Sequence, residues 1–243
     1  MFKELHCVAL RTVRYSDRSS ILSVYSQECG RMSLSVPAGN GRGASRIRAL
    51  TMPMSSFECV AIVKPGQEIS NFKDLKCDPD SILSQTNSMF RNAQAFFLSD
   101  FFNTLLREPL PDEKMWRVVH DTSRLLSVTE GSRLSNFHIL TLIRVGRVLG
   151  IEPDTMTGGP GKILDLQEGL WRRSLPTGHR YFLSAEDSMS AIKLLRMNPR
   201  NFDKFKFSHV DRNRITENIL DYFTLHGFPT KDIASLMVLK ELF

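Results

Sequence analysis

The pattern of apolar and polar residues divides the chain into two parts. Near the start, HCVALRTVRY (6–15), SSILSVYSQ (19–27) and RMSLSVP (31–37) are short runs with partial alternation, and SSFECVAIVKPG (55–66) repeats the pattern. Alternating runs rich in Val, Ile and Tyr predict β-strands. Between the second and third runs, Gly30 in ECGR predicts a tight hairpin that needs a positive φ.

A longer segment, SVPAGNGRGASRIRAL (35–50), follows the third strand and predicts a glycine-rich loop. Four or five short strands interrupted by one long loop are typical of a small antiparallel barrel such as an OB-fold. We expect this barrel to occupy residues 1–78.

From about residue 80 the apolar residues recur every three or four positions, which predicts helices. The first helical stripe carries Phe90, Ala93, Phe97, Phe101 and Leu105. Further helices are predicted over 113–128, 132–149, 183–197, 209–227 and 230–243, with Ser184 and Asp187 in capping-box spacing. Residues 79–243 thus predict a helical domain, interrupted near 152–171 by an irregular insert rich in Gly and Pro. The fold class is α+β, a barrel followed by a helical bundle.

The distribution of charge along the chain indicates what kind of partner the protein binds. The net charge is +6, and residues 1–64 hold nine Lys and Arg against four Asp and Glu. No acidic residue lies between Glu28 and Glu58, so nothing nearby in sequence neutralises the loop. A basic excess in one segment favours a polyanionic partner, and a merely solvated surface is the alternative.

No catalytic pattern accompanies this charge. Gly39, Gly41 and Gly43 are not followed by Lys-Ser/Thr at P-loop spacing, the six histidines never pair at i, i+4, and no GxSxG occurs. The four cysteines form no CxxC pair. We therefore predict that the protein is not an enzyme and holds no metal or cofactor. With no signal-like or membrane-spanning run, we expect a cytoplasmic protein.

Arginine suits the phosphates of a nucleic acid because its guanidinium makes bidentate contacts. The first candidates for DNA contact are Arg42, Arg46 and Arg48, supported by Arg11, Arg14 and Arg31. Tyr15, Tyr25 and Phe57 lie in the same segment and can either stack on bases or fill the barrel core, with the core favoured for each.

Both ends of the chain resemble the RecO family, a group of bacterial recombination mediators. The resemblance lies in ALRTVRYSDRSSILSVYSQECGRMSLSVPAGNGRGASRIRAL (9–50) and in RNRITENILDYFTLHGFPTKDIASLMVLKELF (212–243). The middle of the chain, with VGRVLGIEPD before ILDLQEG, follows the family in its order of elements.

This resemblance implies an OB-fold joined to a helical domain, without catalytic turnover. Family members of the RecF pathway bind single- and double-stranded DNA, anneal strands, associate with RecR, and help load RecA onto DNA coated with single-strand-binding protein. RecA and RecF are expected as indirect partners, and association with the nucleoid is expected. The alternative is a protein-interaction adaptor whose barrel binds RNA or protein and has little affinity for DNA.

The chain departs from the family in one respect. Some members hold zinc through four cysteines in the insert, and residues 150–171 contain none. We expect packing of Ile163, Leu164, Leu166 and Trp171 to order the insert without metal.

A second basic cluster spans residues 196–214. The resemblance implies that the helical domain receives the acidic, apolar-ended tail of single-strand-binding protein, and Arg200 and Arg212 are the candidate contacts. The alternative explanation is local, with Asp211 as the N-cap of the helix and Glu217 paired with Arg214.

Overall fold

The computed structural model describes residues 2–39, 41–64, 66–78, 88–230 and 233–243. The chain forms two compact units. The first comprises Met1–Gly131 with Ile233–Leu242, and the second comprises Ser132–Asp232 with Phe243. The predicted folding-domain boundary at residue 78 stays a prediction.

Five strands close into a barrel in the first unit. They are β1 (Phe2–Arg14), β2 (Ser19–Ser26), β3 (Gly30–Pro37), β4 (Ser56–Ile62) and β5 (Ile69–Cys77), in the order β1-β2-β3-β5-β4. Only the β3–β5 pair is parallel among these strand pairs. Closure leaves no free sheet edge in the barrel, and it confirms the predicted OB-type architecture.

Alternation of side chains fills the barrel. Along β2, Leu22 and Val24 are fully buried, whereas Ile21 and Ser23, at the alternate positions, remain partly exposed. The same alternation on the other strands builds one apolar core from Leu5, Cys7, Ala9, Leu22, Val24, Leu34, Val36, Phe57, Cys59 and Ala61. Burial of this inner face is what fixes the register of the strands.

The segment predicted as a glycine-rich loop is partly helical. Helix α1 (Arg42–Leu50) begins directly after Gly39 and Gly41, so of the three glycines only Gly43 lies within it. Ala44 is buried, and Ile47 packs against the barrel core. The loop prediction was wrong here because apolar residues three positions apart bury one face of a short helix against the barrel.

Within its described residues, the first unit also contains the helices α2 (Met89–Leu105), α3 (Glu113–Val128) and α7 (Leu236–Leu242). Ser88 and Asp112 cap α2 and α3 by accepting backbone N–H groups of Arg91 and Met115. The part of the first predicted helix that falls in residues 79–87 lies outside the described residues, as do Lys231 and Asp232 of the last.

The predicted β2–β3 hairpin is present, with Gly30 at φ 67°. A Cβ on this glycine would lie 2.2 Å from the carbonyl oxygen of Leu110, which passes directly over it. Gly30 is therefore required both by its backbone conformation and by close packing.

Three helices and a small hairpin form the second unit. The helices are α4 (Phe137–Leu149), α5 (Ala185–Leu194) and α6 (His209–Leu225), and the first turn of the predicted 132–149 helix is instead a 3₁₀ helix, Gly131–Asn136. The insert forms a two-stranded sheet from β6 (Ile163–Asp165) and β7 (Leu170–Arg172). Ser184 caps α5 through the N–H of Asp187, as predicted.

The insert is held by packing and by one buried carboxylate. Leu164, Leu166 and Trp171 belong to an apolar cluster, as expected, while Ile163 is only partly buried. Asp165 is fully buried and accepts hydrogen bonds from the N–H groups of Gln167 and Glu168 and from Nε of Arg172 at 2.7 Å. This polar part was not predicted.

None of the helices in the described part of the chain has both the length and the apolar composition that spanning a bilayer requires.

Candidate nucleic-acid interface

Helix α1 presents two arginines to solvent. Successive residues of an α-helix are rotated by about 100°, so Arg42 and Arg46 lie one turn apart on the face opposite Ala44 and Ile47. Both side chains are exposed. Among the described residues, neither guanidinium has a hydrogen-bond or ion-pair partner. The helix is anchored to the barrel by one face and offers these two charges on the other.

Arg48 differs from these two arginines. Its guanidinium donates to the carbonyl oxygen of Gly39 at 2.8 Å and to the hydroxyl of Ser45 at 3.1 Å. A longer contact of 3.5 Å reaches the carbonyl oxygen of Ala38. Arg48 therefore ties α1 to the segment that precedes it, although its side chain remains exposed.

The turn between β1 and β2 lies beside the same segment. The N–H of Ala38 donates to the carbonyl oxygen of Arg18 at 3.0 Å. Arg48 of α1 donates to the carbonyl oxygens of Ala38 and Gly39, so this short segment connects the turn to α1. Exposed Arg18 is thus part of the same end of the barrel, and the sequence predictions did not include it.

Arg14 closes β1 at this end. It makes an exposed ion pair with Asp17 at 3.1 Å, and its Nε contacts the carbonyl oxygen of Ser16 at 3.4 Å. An exposed pair of this kind contributes little to stability. Asp17 offsets part of the local positive charge, and its side chain is 98% exposed.

Arg11 lies farther along β1, on the outer surface. It is exposed and pairs across the sheet with Ser23, whose neighbours Leu22 and Val24 point into the core. Cross-strand partners share a face of the sheet, so Arg11 points away from the core. Register places it three residues from Arg14 along the strand.

Arg31 is at the opposite end of the barrel. It follows Gly30 in the turn between β2 and β3. Val36 lies near the other end of β3, beside the β1–β2 turn, and is five positions from Arg31, about 16 Å along an extended strand. Its Nη2 donates to Oδ1 of Asn103 at 2.7 Å, and burial lowers the pKa of its guanidinium. Of the six predicted contacts, Arg14, Arg42, Arg46 and Arg48 belong to this end of the barrel, Arg11 lies farther along β1, and Arg31 is at the opposite end.

The three candidate aromatic residues have different environments. Tyr25 and Phe57 are 2% and 1% exposed and belong to the interior. Burial raises the pKa of Tyr25 to about 12. Tyr15, next to Arg14, is 70% exposed. The preferred interpretation, a place in the barrel core, is confirmed for Phe57 and wrong for Tyr15. Tyr25 is buried too, but its ring lies 6.5 Å from that of Trp116 on α3, outside the barrel core.

In the second unit, Arg200 is exposed but Arg212 is occupied. The guanidinium of Arg212 donates to Oδ1 of Asn136 at 3.2 Å, to the carbonyl oxygen of Phe207 at 3.0 Å, and to the carbonyl oxygen of Phe243. Burial lowers its pKa. Arg212 holds the start of α6 to the start of α4 and to the end of the chain.

The local explanation for this cluster needs two corrections. The N-cap of α6 is Ser208, whose hydroxyl accepts the N–H of Asp211, so Asp211 is not the cap. Arg214, predicted to pair with Glu217, instead forms ion pairs with Asp187 at 2.7 Å, with Asp211 at 2.9 Å and with Glu186 at 3.6 Å. The helix begins at His209, as the 209–227 prediction has it, with its cap at the residue before, so Asp211 lies in the first turn instead.

An apolar cavity of about 90 Å³ lies beside this cluster, within the second unit. Helices α4, α5 and α6 and the insert line it, with Leu142, Leu166, Leu195, Ile219 and Tyr222 among the lining residues. Lys193, Lys204 and Lys206 line a neighbouring cleft that shares Ile215 with the cavity. All three lysines are exposed.

The insert does not suit a zinc ion. Its most buried carboxylate, Asp165, already accepts from two backbone N–H groups and Arg172, and Asp154 accepts from Met156 and Thr157. In the described ranges, no group of three or more His, Cys, Asp or Glu side chains is placed to hold a metal. The metal-free insert remains a prediction.

Comparison with known proteins identifies the family. The sequence model of the protein family described as the N-terminal region of recombination protein O matches residues 1–77 of this chain. The DNA repair protein RecO of Phocaeicola vulgatus is 31% identical over 239 residues, 97% of each chain. Those of Azobacteroides pseudotrichonymphae and Flavobacterium johnsoniae are 27% and 25% identical, over 100% and 97% of each chain. Because a relative at 31% identity is matched over 97% of both chains, the chain belongs to the RecO family of DNA repair proteins.

Proposed function

We propose that this protein is a DNA-binding recombination mediator that binds and anneals DNA strands. The observation that carries the proposal is the pair Arg42 and Arg46, exposed on a helix whose other face is anchored to the barrel. Within the described residues these guanidiniums have no partner, and Arg18 lies at the same end. A phosphate backbone supplies the partner that the chain lacks.

Annealing by such a surface is electrostatic. Two DNA strands repel each other, and arginines that replace condensed counterions lower that repulsion without making or breaking a bond. The protein therefore needs no catalytic group for this activity. Arg14, Arg11 and Arg48 contribute to the local positive field, which also raises the rate of encounter with a polyanion.

Salt dependence of binding tests this proposal. We expect the Arg42→Ala/Arg46→Ala variant to bind single-stranded DNA more weakly, with a log-log salt slope reduced by about 1.4, roughly 0.7 for each phosphate that is no longer neutralised. The matched control is Arg173→Ala/Arg180→Ala, which removes two exposed arginines of the second unit. Binding is measured by fluorescence anisotropy from low to physiological salt.

An unchanged slope in the α1 variant would show that this helix does not contact phosphate. Equal losses in the variant and in its control would indicate a diffuse effect of net charge. A wild-type chain that binds no DNA at any salt would favour the adaptor, because such a protein needs only its protein-binding surfaces.

We further propose that the helical part receives the acidic tail of single-strand-binding protein. The apolar cavity beside α6 suits the apolar end of such a tail, while Arg200 and the lysines Lys193, Lys204 and Lys206 suit its acidic residues. Arg212, the other predicted contact, acts by fixing the start of α6. Through this contact the mediator reaches DNA coated with single-strand-binding protein and assists loading of RecA. Association with RecR is a further part of the proposal, with RecA and RecF as indirect partners.

Peptide binding tests this second contact. A peptide with the last residues of single-strand-binding protein is titrated against the full chain, with a peptide lacking its terminal apolar residues as control. We expect Lys204→Glu/Lys206→Glu to weaken binding of the complete peptide at least tenfold. Equal binding of both peptides, or no effect of the two substitutions, would contradict this placement.

A further inference from the structure

Tyr15 is an aromatic side chain held in solvent by an ordered turn. The residue is 70% exposed, and within the described part of the chain its side chain makes no hydrogen bond and no contact with another aromatic ring. A tyrosine so exposed leaves a large apolar surface in water, which costs free energy. Nothing within the barrel accounts for its position.

Hydrogen bonds fix the turn that carries it. The N–H groups of Tyr15 and Ser16 donate to the carbonyl oxygen of Ser19 at 3.1 and 2.9 Å. The hydroxyl of Ser16 contacts that of Ser19 at 2.8 Å and accepts the N–H groups of Arg18 and Ser19 at 3.3 and 3.1 Å. The backbone beneath the ring is thus set before any ligand binds, which reduces the entropy lost on binding.

The surroundings of the ring are cationic and apolar. Arg14, which is paired with Asp17, and Arg18 flank it in the same turn, and the turn is bonded to the segment that leads into α1. Val13, 49% exposed, pairs across the sheet with Ile21 and extends the apolar surface along β1. A flat apolar ring among guanidiniums matches a nucleotide, which has a flat base joined to an anionic phosphate.

We propose that Tyr15 stacks on an unpaired base and so gives this surface a preference for single-stranded DNA. This inference rests on the proposed function, because the arginines must hold the phosphate backbone beside the ring. Arginine contacts do not distinguish single strands from duplex, since both carry phosphates. Stacking does, because the base faces of a duplex are already covered by their neighbours.

The experiment compares Tyr15→Ala and Tyr15→Phe with the wild-type full chain. Each protein is titrated with a fluorescent single strand and with the duplex of the same sequence, over a range of salt. Tyr181→Ala, which removes a tyrosine 47% exposed in the second unit, is the matched control. Circular dichroism before and after heating verifies that each variant is folded.

We expect Tyr15→Ala to lose about tenfold in affinity for the single strand, with little change for the duplex and an unchanged salt slope. Tyr15→Phe is expected to bind like wild type, because it keeps the ring. A single strand carrying 5-iododeoxyuridine should photo-crosslink to Tyr15, which mass spectrometry of the digest can locate.

Equal losses on single strand and duplex, or no loss on either, would overturn the inference while leaving the arginine surface in place. A Tyr15→Phe variant as weak as Tyr15→Ala would overturn stacking and point to a contact of the hydroxyl. If the wild-type chain binds neither DNA, the proposed function fails and this inference fails with it.

Discussion

Arginines in the two units have opposite surroundings. Arg42 and Arg46 lie on the exposed face of α1 without a described partner, whereas Arg212 and Arg214 direct their guanidiniums to carbonyl and carboxylate oxygens of their own unit. Both pairs come from basic stretches, but only the second stretch contains acidic residues, Asp203 and Asp211. The difference shows that a cluster of positive charge in a sequence does not by itself identify a binding surface. Arginines whose guanidiniums are bonded within the protein are not available for a ligand.

The largest effect is expected from Arg212. Its replacement by Ala leaves the carbonyl oxygens of Phe207 and Phe243 and the Asn136 side chain without their charged donor. We expect Arg212→Ala to lower the free energy of unfolding by about 2–3 kcal/mol, with affinity for DNA unchanged in the folded protein. Urea denaturation measures this change, and Arg42→Ala, expected within about 0.5 kcal/mol of wild type, is its control. Equal stability of the two variants would show that Arg212 contributes no more to folding than the exposed Arg42.

Arg48 sharpens the comparison within the interface itself, because it combines exposure with internal hydrogen bonds. We expect Arg48→Ala to cost about 1 kcal/mol locally, because the hydrogen bonds to Gly39 and Ser45 are removed. Hydrogen exchange should therefore be faster for the amides of α1, while those of β1 and β2 keep their protection. Unchanged exchange in α1 would mean that Arg48 is as free to bind DNA as Arg46.

Gly43 tests whether a rigid helix or a pliable loop presents the arginines. A Cβ at this exposed position meets no atom within 4 Å, and its φ is not positive. We expect Gly43→Ala to stabilise α1 by about 0.5–1 kcal/mol and to keep or slightly raise affinity for single-stranded DNA. A clear loss of affinity in the anisotropy titration would show that the interface needs backbone flexibility.

The smallest effect is expected from acid, which protonates carboxyl groups of the second unit and leaves the arginines of α1 charged. The hydroxyl of Ser208, with Arg214, lowers the pKa of Asp211 below its ordinary value of 3.8. Burial alone would raise the pKa of Asp165, but the N–H of Glu168 and Arg172 outweigh it and lower the pKa.

A lowered carboxyl pKa contributes stability that is complete above the unfolded value and is lost as the pH falls through the folded value. We therefore expect the second unit to lose stability below about pH 4, while the arginines of α1 keep their charge. Thermal melts of wild type and Asp211→Asn from pH 7 to 3 measure this. A loss of equal size in the variant would exclude Asp211 as a source.

Local patterns predicted the barrel and most helices well. Alternation with Gly30 at the turn placed β1, β2 and β3 within a few residues, and helices α3 and α6 begin where the periodic stripes begin. These features depend on neighbours in sequence, such as the 2-residue repeat of a strand and the cap of a helix. The helix α1 was missed because its apolar face is only Ala44 and Ile47, and it becomes helical by packing on the barrel.

The sequence by itself determined the positive charge of the first quarter, the lack of acidic residues around Arg42 and Arg46, and the order of barrel and helices. Only the tertiary structure decided which arginines remain free. Arg31 is bound by Asn103, 72 residues away, and Arg212 by Asn136, 76 residues away. A hydrogen bond acts over about 3 Å, and the chain reaches such partners only after folding, so no local pattern contains them.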